Sequence, residues 1–111
     1  MNITQQELGH DILKVSLSGS LDVAGASIAD DLLTTVSANR SKVIADLAGV
    51  DFVASAGIRV LVKTAKAIAA RSGKFAIVNP NDMARRVMWT TGLDRIVPIA
   101  DNEQAAIDAL S

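Results

Sequence analysis

Ser55, within the run Asp46-Leu-Ala-Gly-Val-Asp-Phe-Val-Ala-Ser-Ala-Gly-Ile58, is the residue whose neighbours best equip it for chemistry. An apolar run ends at Leu47, a loop is expected from Ala48 to Ala54, and a helical pattern begins at the small residues around Ser55. The first N–H groups of a helix have no intrahelical acceptor and its dipole is positive there, so a serine oxygen or a phosphate is held favourably. Two readings follow: a helix cap, whose loss costs about 0.5–2 kcal/mol, or an exposed anion acceptor. Gly57 is expected to let another chain approach closely. Asp22, after Gly19-Ser20-Leu21, is the second candidate, either a turn and cap residue or a companion of Ser55. If their two strands lie side by side, both residues emerge at the end of the sheet where α/β folds assemble sites.

Catalysis by Ser55 itself meets two obstacles. The nucleophile-elbow pattern needs glycine two residues before the serine, where Val53 stands, and a triad needs a histidine base. The single histidine, His10, falls in an expected hairpin turn, with no companions for a metal site. There is no Walker-type glycine loop and no paired Gly-x-Gly fingerprint. The expectation is a non-enzyme without cofactor or metal, to which any phosphoryl donor arrives with a partner. Arg59, Lys63 and Lys66 lie one turn apart and read as a solvated face or as a basic strip turned to a partner. Met83, Val87, Met88 and Trp89 read as core and edge packing rather than a cofactor box.

The elements that must position these residues follow from hydrophobic period. Leu13, Val15 and Leu17 alternate with Lys14, Ser16 and Ser18 in a half-buried strand, which the turn at Glu7 to Asp11 pairs with a first strand over 2–6. A helix over 26–38 is expected to turn Ile28, Ala29, Leu32, Leu33 and Val36 inward and Asp30, Asp31, Thr34 and Ser37 outward. Lys42 to Leu47 reads as a central strand buried on both faces. A second helix, ended by Gly73, carries Ile58, Leu61, Val62, Ala65, Ile68 and Ala69 inward. Phe75 to Val78 is a strand, Asn81 or Asp82 caps a helix that stops at Gly92, and Ile96 to Ile99 is a last strand. Asp101-Asn102-Glu103-Gln104 offers a capping-box start for a closing helix. The fold class is therefore α/β, a single domain over 1–111 with a mixed sheet of about five strands and about four α-helices.

Composition bounds the partners. The 111 residues are 50% hydrophobic, with a net charge of −1 and interspersed signs, so no extended field awaits nucleic acid or an anionic membrane. There is no cysteine, and no apolar run approaches a membrane span or a signal-peptide core, which fits a cytoplasmic protein without membrane insertion.

Gly19-Ser-Leu-Asp22, Ile44-Ala-Asp-Leu-Ala-Gly-Val-Asp-Phe52, Ala54-Ser-Ala-Gly-Ile58, Gly73-Lys-Phe-Ala-Ile-Val-Asn79 and Thr91-Gly-Leu93 resemble, in order and spacing, the STAS domain of bacterial anti-sigma factor antagonists. The resemblance covers almost the whole chain. It implies a STAS-like fold and a partner-switching role in signal transduction and transcription regulation. In that family a serine in an Asp-Ser-Ser/Thr-Gly turn is phosphorylated by an anti-sigma factor that is also a serine kinase. The resemblance places the acceptor at Ser55. The unphosphorylated antagonist captures the kinase and frees the sigma factor, and a serine phosphatase restores the phosphorylated form. The implied partner surface comprises Ser20, Asp22, Ala54, Ser55, Ala56, Gly57, Ile58, Arg59 and Lys63. Here the pattern's aspartate and second hydroxyl are alanine, at positions 54 and 56. An alternative within the same family is an adaptor subunit of another assembly, such as a lipid-transport or signalling complex, that uses no phosphate.

Overall fold

Apolar and polar residues alternate from Leu13 to Ser18 within the strand Ile12–Leu21, and this strand, β2, pairs antiparallel with β1, Asn2–Glu7, from Asn2 opposite Ser18 to Glu7 opposite Leu13. A computed structural model describes residues 1–111. Gly9, His10 and Asp11 all take positive φ in the turn between the strands. Helix α1, Val23–Asn39, leads to β3, Lys42–Val53, then α2, Ser55–Ala70, and β4, Lys74–Val78. Helix α3, Asp82–Thr91, ends at Gly92 in the left-handed conformation and is followed by a 3-10 turn at Leu93–Arg95. Strand β5, Ile99–Ala100, and helix α4, Glu103–Ala109, complete the chain. The sheet order is β1-β2-β3-β4-β5, with every pair after the first parallel.

Alternation within the central strands separates two cores. Val43, Ala45 and Leu47 of β3 join Phe75 and Ile77 of β4 beneath α1, α2 and α3. Ile44, Ala76 and Val78 face the other way, where α4 covers them with Ala106 and Leu110. Burial on both faces is why these strands read as continuous apolar runs. No helix is long and apolar enough to cross a membrane.

Several sequence expectations need correction. The expected loop over 48–54 is strand as far as Val53. Two register shifts against β2 place an extra β3 residue between Asp46 and Gly49 and another between Val50 and Phe52, and these bulges break the alternation that marks a strand. Asp46 supports the first by accepting the Ala48 N–H at 2.9 Å. Helix α1 begins at Val23 rather than Ala26, Ile28 is exposed, and Ser37 is buried with its hydroxyl donated to the Thr34 carbonyl at 3.0 Å. The last strand is displaced to Ile99–Ala100 because the 3-10 turn uses the preceding residues to bury Leu93 and Val97. Asn102, not Asp101, caps α4 through the Ala105 N–H, so the reciprocal half of a capping box is missing. Trp89 does not pack: it is 71% exposed, while Met88 beside it is fully buried.

Candidate functional site

Parallel pairing of β2 and β3 sets Leu21 opposite Val53, so the chain leaves both strands at the same end of the sheet. Asp22 and Ala54 are consequently neighbouring helix caps, joined by the Ala54 N–H to the Leu21 carbonyl at 2.9 Å. Asp22 Oδ1 accepts the Gly25 N–H at 2.8 Å and so caps α1. The corresponding position before α2 is alanine and makes no side-chain cap bond. Ser55 is therefore not a cap. It is the exposed first residue of α2, at the positive end of a helix of 16 residues. The Ala54 carbonyl accepts the N–H groups of Gly57 and Ile58, leaving those of Ser55 and Ala56 without an intrahelical acceptor.

Two glycines bring the helix starts hard against β2. A side-chain carbon at Gly25 would collide with the Ser20 carbonyl, and one at Gly57 would lie 3.0 Å from both Cβ and the carbonyl oxygen of Leu21. Gly57 thus serves an approach inside the molecule, not the approach of another chain. Ile58, placed on the partner surface by resemblance, is 6% exposed and belongs to the core beneath the turn. Ser20 donates its hydroxyl to Asp51 Oδ1 at 2.9 Å, fixing the second β3 bulge beside the site.

The surface around Ser55 holds more than the sequence reading found. Val23, next to the Asp22 cap, is 75% exposed, and Phe52, shortly before Ser55, is 46% exposed. Met83, in the first turn of α3, is 37% exposed, and Asn81 ties that helix start to β3 by donating to the Val50 carbonyl at 3.3 Å. Three large apolar side chains therefore frame one end of the sheet. The helical period gave no signal for Val23, which stands three residues before Ala26 and so at the spacing of the inward stripe.

Between α1 and α2 lies an open groove of 320 Å³ that begins beside Ala56. Ala26, Ala56 and Val60 floor it, and Asp30, Arg59 and Lys63 rim it. Lys63 reaches across to Asp30 at 3.0 Å, whereas Arg59 enters none of the ion pairs of the fold. Arg59 and Lys66 stand on the exposed side of α2. His10 lies in the β1–β2 turn, at the opposite end of the sheet from Ser55, and so cannot serve it as a base.

A family model described as the STAS domain matches residues 4–106. A relative from Paenibacillus polymyxa named anti-sigma F factor antagonist is 30% identical over 114 aligned positions, covering 99% of this chain and 97% of that one. A Thermotoga maritima relative, provisionally named an anti-sigma factor antagonist, is 37% identical over 68 residues, or 61% of this chain and 60% of its own length. The crystal structure of a Thermotoga maritima protein provisionally given the same role superposes with a TM-score of 0.90 at 25% identity, covering 97% of this chain and 93% of that chain. An anti-sigma factor antagonist from Mycobacterium paratuberculosis superposes at 0.86 with 28% identity, covering 98% and 94%. The likeness thus spans nearly the whole chain, which belongs to the STAS domain family, alongside relatives named anti-sigma factor antagonists.

Proposed function

We propose that this chain binds a kinase-type anti-sigma factor through the strand-end surface around Asp22, Ser55 and Arg59, and that phosphorylation of Ser55 ends the complex. The observation that carries the reading is an exposed serine hydroxyl at the N-terminus of α2, beside the cap of α1. A kinase can reach it without unfolding anything. In the transfer, the γ-phosphorus of ATP forms a bond to Ser55 Oγ as its bond to the ADP oxygen breaks, and the hydroxyl proton passes to a base on the kinase. The product carries about −1.5 to −2 added charges, and placing them in a closely packed interface disfavours it by desolvation and repulsion. A serine phosphatase would restore the binding form. The names of the relatives support the same partner class.

The test is incubation with the cognate anti-sigma factor and ATP, followed by intact-mass and peptide mass spectrometry. One phosphate on Ser55, absent from Ser55→Ala, is expected, together with loss of the complex on size exclusion. An unmodified Ser55 in the presence of a kinase active on another substrate removes the switch.

A second reading, an adaptor that uses no phosphate, draws on one observation. With alanine at 54 and 56, neither a carboxylate nor a second hydroxyl stands beside Ser55 in the turn. Affinity purification from the native cell separates the two: recovery of transport-complex or signalling-array subunits without a kinase-type anti-sigma factor favours the adaptor.

A further inference from the structure

We infer that Arg59 is the built-in counter-ion of a phosphate on Ser55, and that their pairing reverses the charge of the groove between α1 and α2. This rests on the proposed modification of Ser55 and concerns where the phosphate goes once it is attached. Ser55 and Arg59 stand four residues apart in α2, a spacing that sets side chains on one helix face with Cβ atoms about 5–6 Å apart. Both are exposed. Arg59 has no ionic partner, while the next cation along that face, Lys63, is held by Asp30 at 3.0 Å. Arg59 is thus the uncommitted cation nearest in sequence to Ser55.

A guanidinium fork takes two phosphate oxygens at once. The acceptor-less N–H groups of Ser55 and Ala56 point to the same end of the helix and add to the attraction. Alanine at 54 strengthens the arrangement, since a carboxylate there would repel the phosphate and compete for those donors. Three acidic groups stand at this end of the sheet: Asp22 and Asp51, engaged with the Gly25 N–H and the Ser20 hydroxyl respectively, and the exposed Asp82 in the first turn of α3.

The groove is rimmed by Arg59 and Lys63 against Asp30 and so carries one net positive charge. A phosphate of about −1.5 to −2 charges drawn onto Arg59 makes that rim negative. An acidic side chain of the partner seated on Arg59 then loses its guanidinium and meets a like charge.

The test uses the full chain with phosphoserine incorporated at position 55 during translation, so no kinase is needed. Phosphorus NMR follows the second phosphate ionisation, ordinarily near a pKa of about 6. A neighbouring cation favours the dianion, so Arg59→Ala is expected to raise that midpoint by about 0.2–0.4 pH units. Arg59→Lys should retain most of the parent behaviour, and Lys66→Ala should move the midpoint less than half as far as Arg59→Ala. A midpoint indifferent to Arg59→Ala, or shifted equally by Lys66→Ala, overturns the pairing. A kinase that ignores Ser55 would remove the proposed function and leave this result standing; a kinase that modifies Ser55 while the midpoint ignores Arg59 would do the reverse.

Discussion

Ala54 and Asp22 hold equivalent places at two adjacent helix starts, and only Asp22 supplies an oxygen to the free N–H groups. Aspartate at 54 would cap α2 and meet its positive dipole, so Ala54→Asp is expected to raise stability by about 1 kcal/mol, seen as a higher urea midpoint with an unchanged slope. Asp22→Ala should lower it by a similar amount, about 1 kcal/mol, and Asp22→Asn should nearly preserve it. Gly57→Ala places a carbon 3.0 Å from Leu21 and should cost about 1–3 kcal/mol by overpacking, readable in the same denaturation curves. Residue types alone located Ser55 at a helix start and marked Asp22 as a cap. They could not tell which way Gly57 faces, because its neighbour Leu21 belongs to a strand distant in sequence and adjacent only through parallel pairing.

Helix α4 has seven residues, too few to persist without packing. Besides Ala106 and Leu110 it is held by Lys14, which donates to Glu103 at 2.8 Å and lies 3.7 Å from Asp46. The hydrogen bond to Glu103, together with both nearby carboxylates, holds the Lys14 ammonium above its ordinary 10.5. A raised lysine pKa stabilises the fold fully below the ordinary lysine range and ceases to do so as pH rises through the raised value, so α4 should loosen in strong alkali. Lys14→Met should speed exchange of the α4 amides by about two- to fivefold, measured by hydrogen exchange, with the β2–β3 amides unaffected. In the same part of the hairpin, where Glu7 follows the Gln6 that pairs with Lys14, hydrogen bonds from Arg40 hold the Glu7 carboxyl below its ordinary 4.5. Its contribution is present above the ordinary value and lost as pH falls through the lowered one; an NMR titration of Glu7 should return to the ordinary midpoint in Arg40→Ala. Strands with clean period two and helices ended by Gly73 and Gly92 were readable from the sequence. The second half of β3 was not, because two bulges interrupt its alternation, and β5 is too short to carry a period.

Across the whole molecule, the apolar residues Val23, Phe52 and Met83 gather at the strand end that carries Ser55, while Trp89 lies in the last turn of α3, away from it. If the anti-sigma partner docks on that end, Val23→Asp and Phe52→Ala should each weaken the complex about tenfold or more, by calorimetry, with thermal stability nearly unchanged. Trp89→Ala should leave the affinity as it was. The sequence supplied the elements and their order, but the sheet order had to come from three dimensions. Nothing local says that β1 lies outermost or that α4 crosses to the face opposite the other helices. The contacts of Gly25 and Gly57 with β2 carry one further consequence, for the speed of association. Helices whose first turns rest directly on strand backbone have no slack to take up when a partner arrives, so little ordering entropy remains to be lost. Encounter should then be a single bimolecular phase, its rate set by salt and by the charges at the groove rim, and differences in affinity among surface variants should fall mainly on the lifetime of the complex.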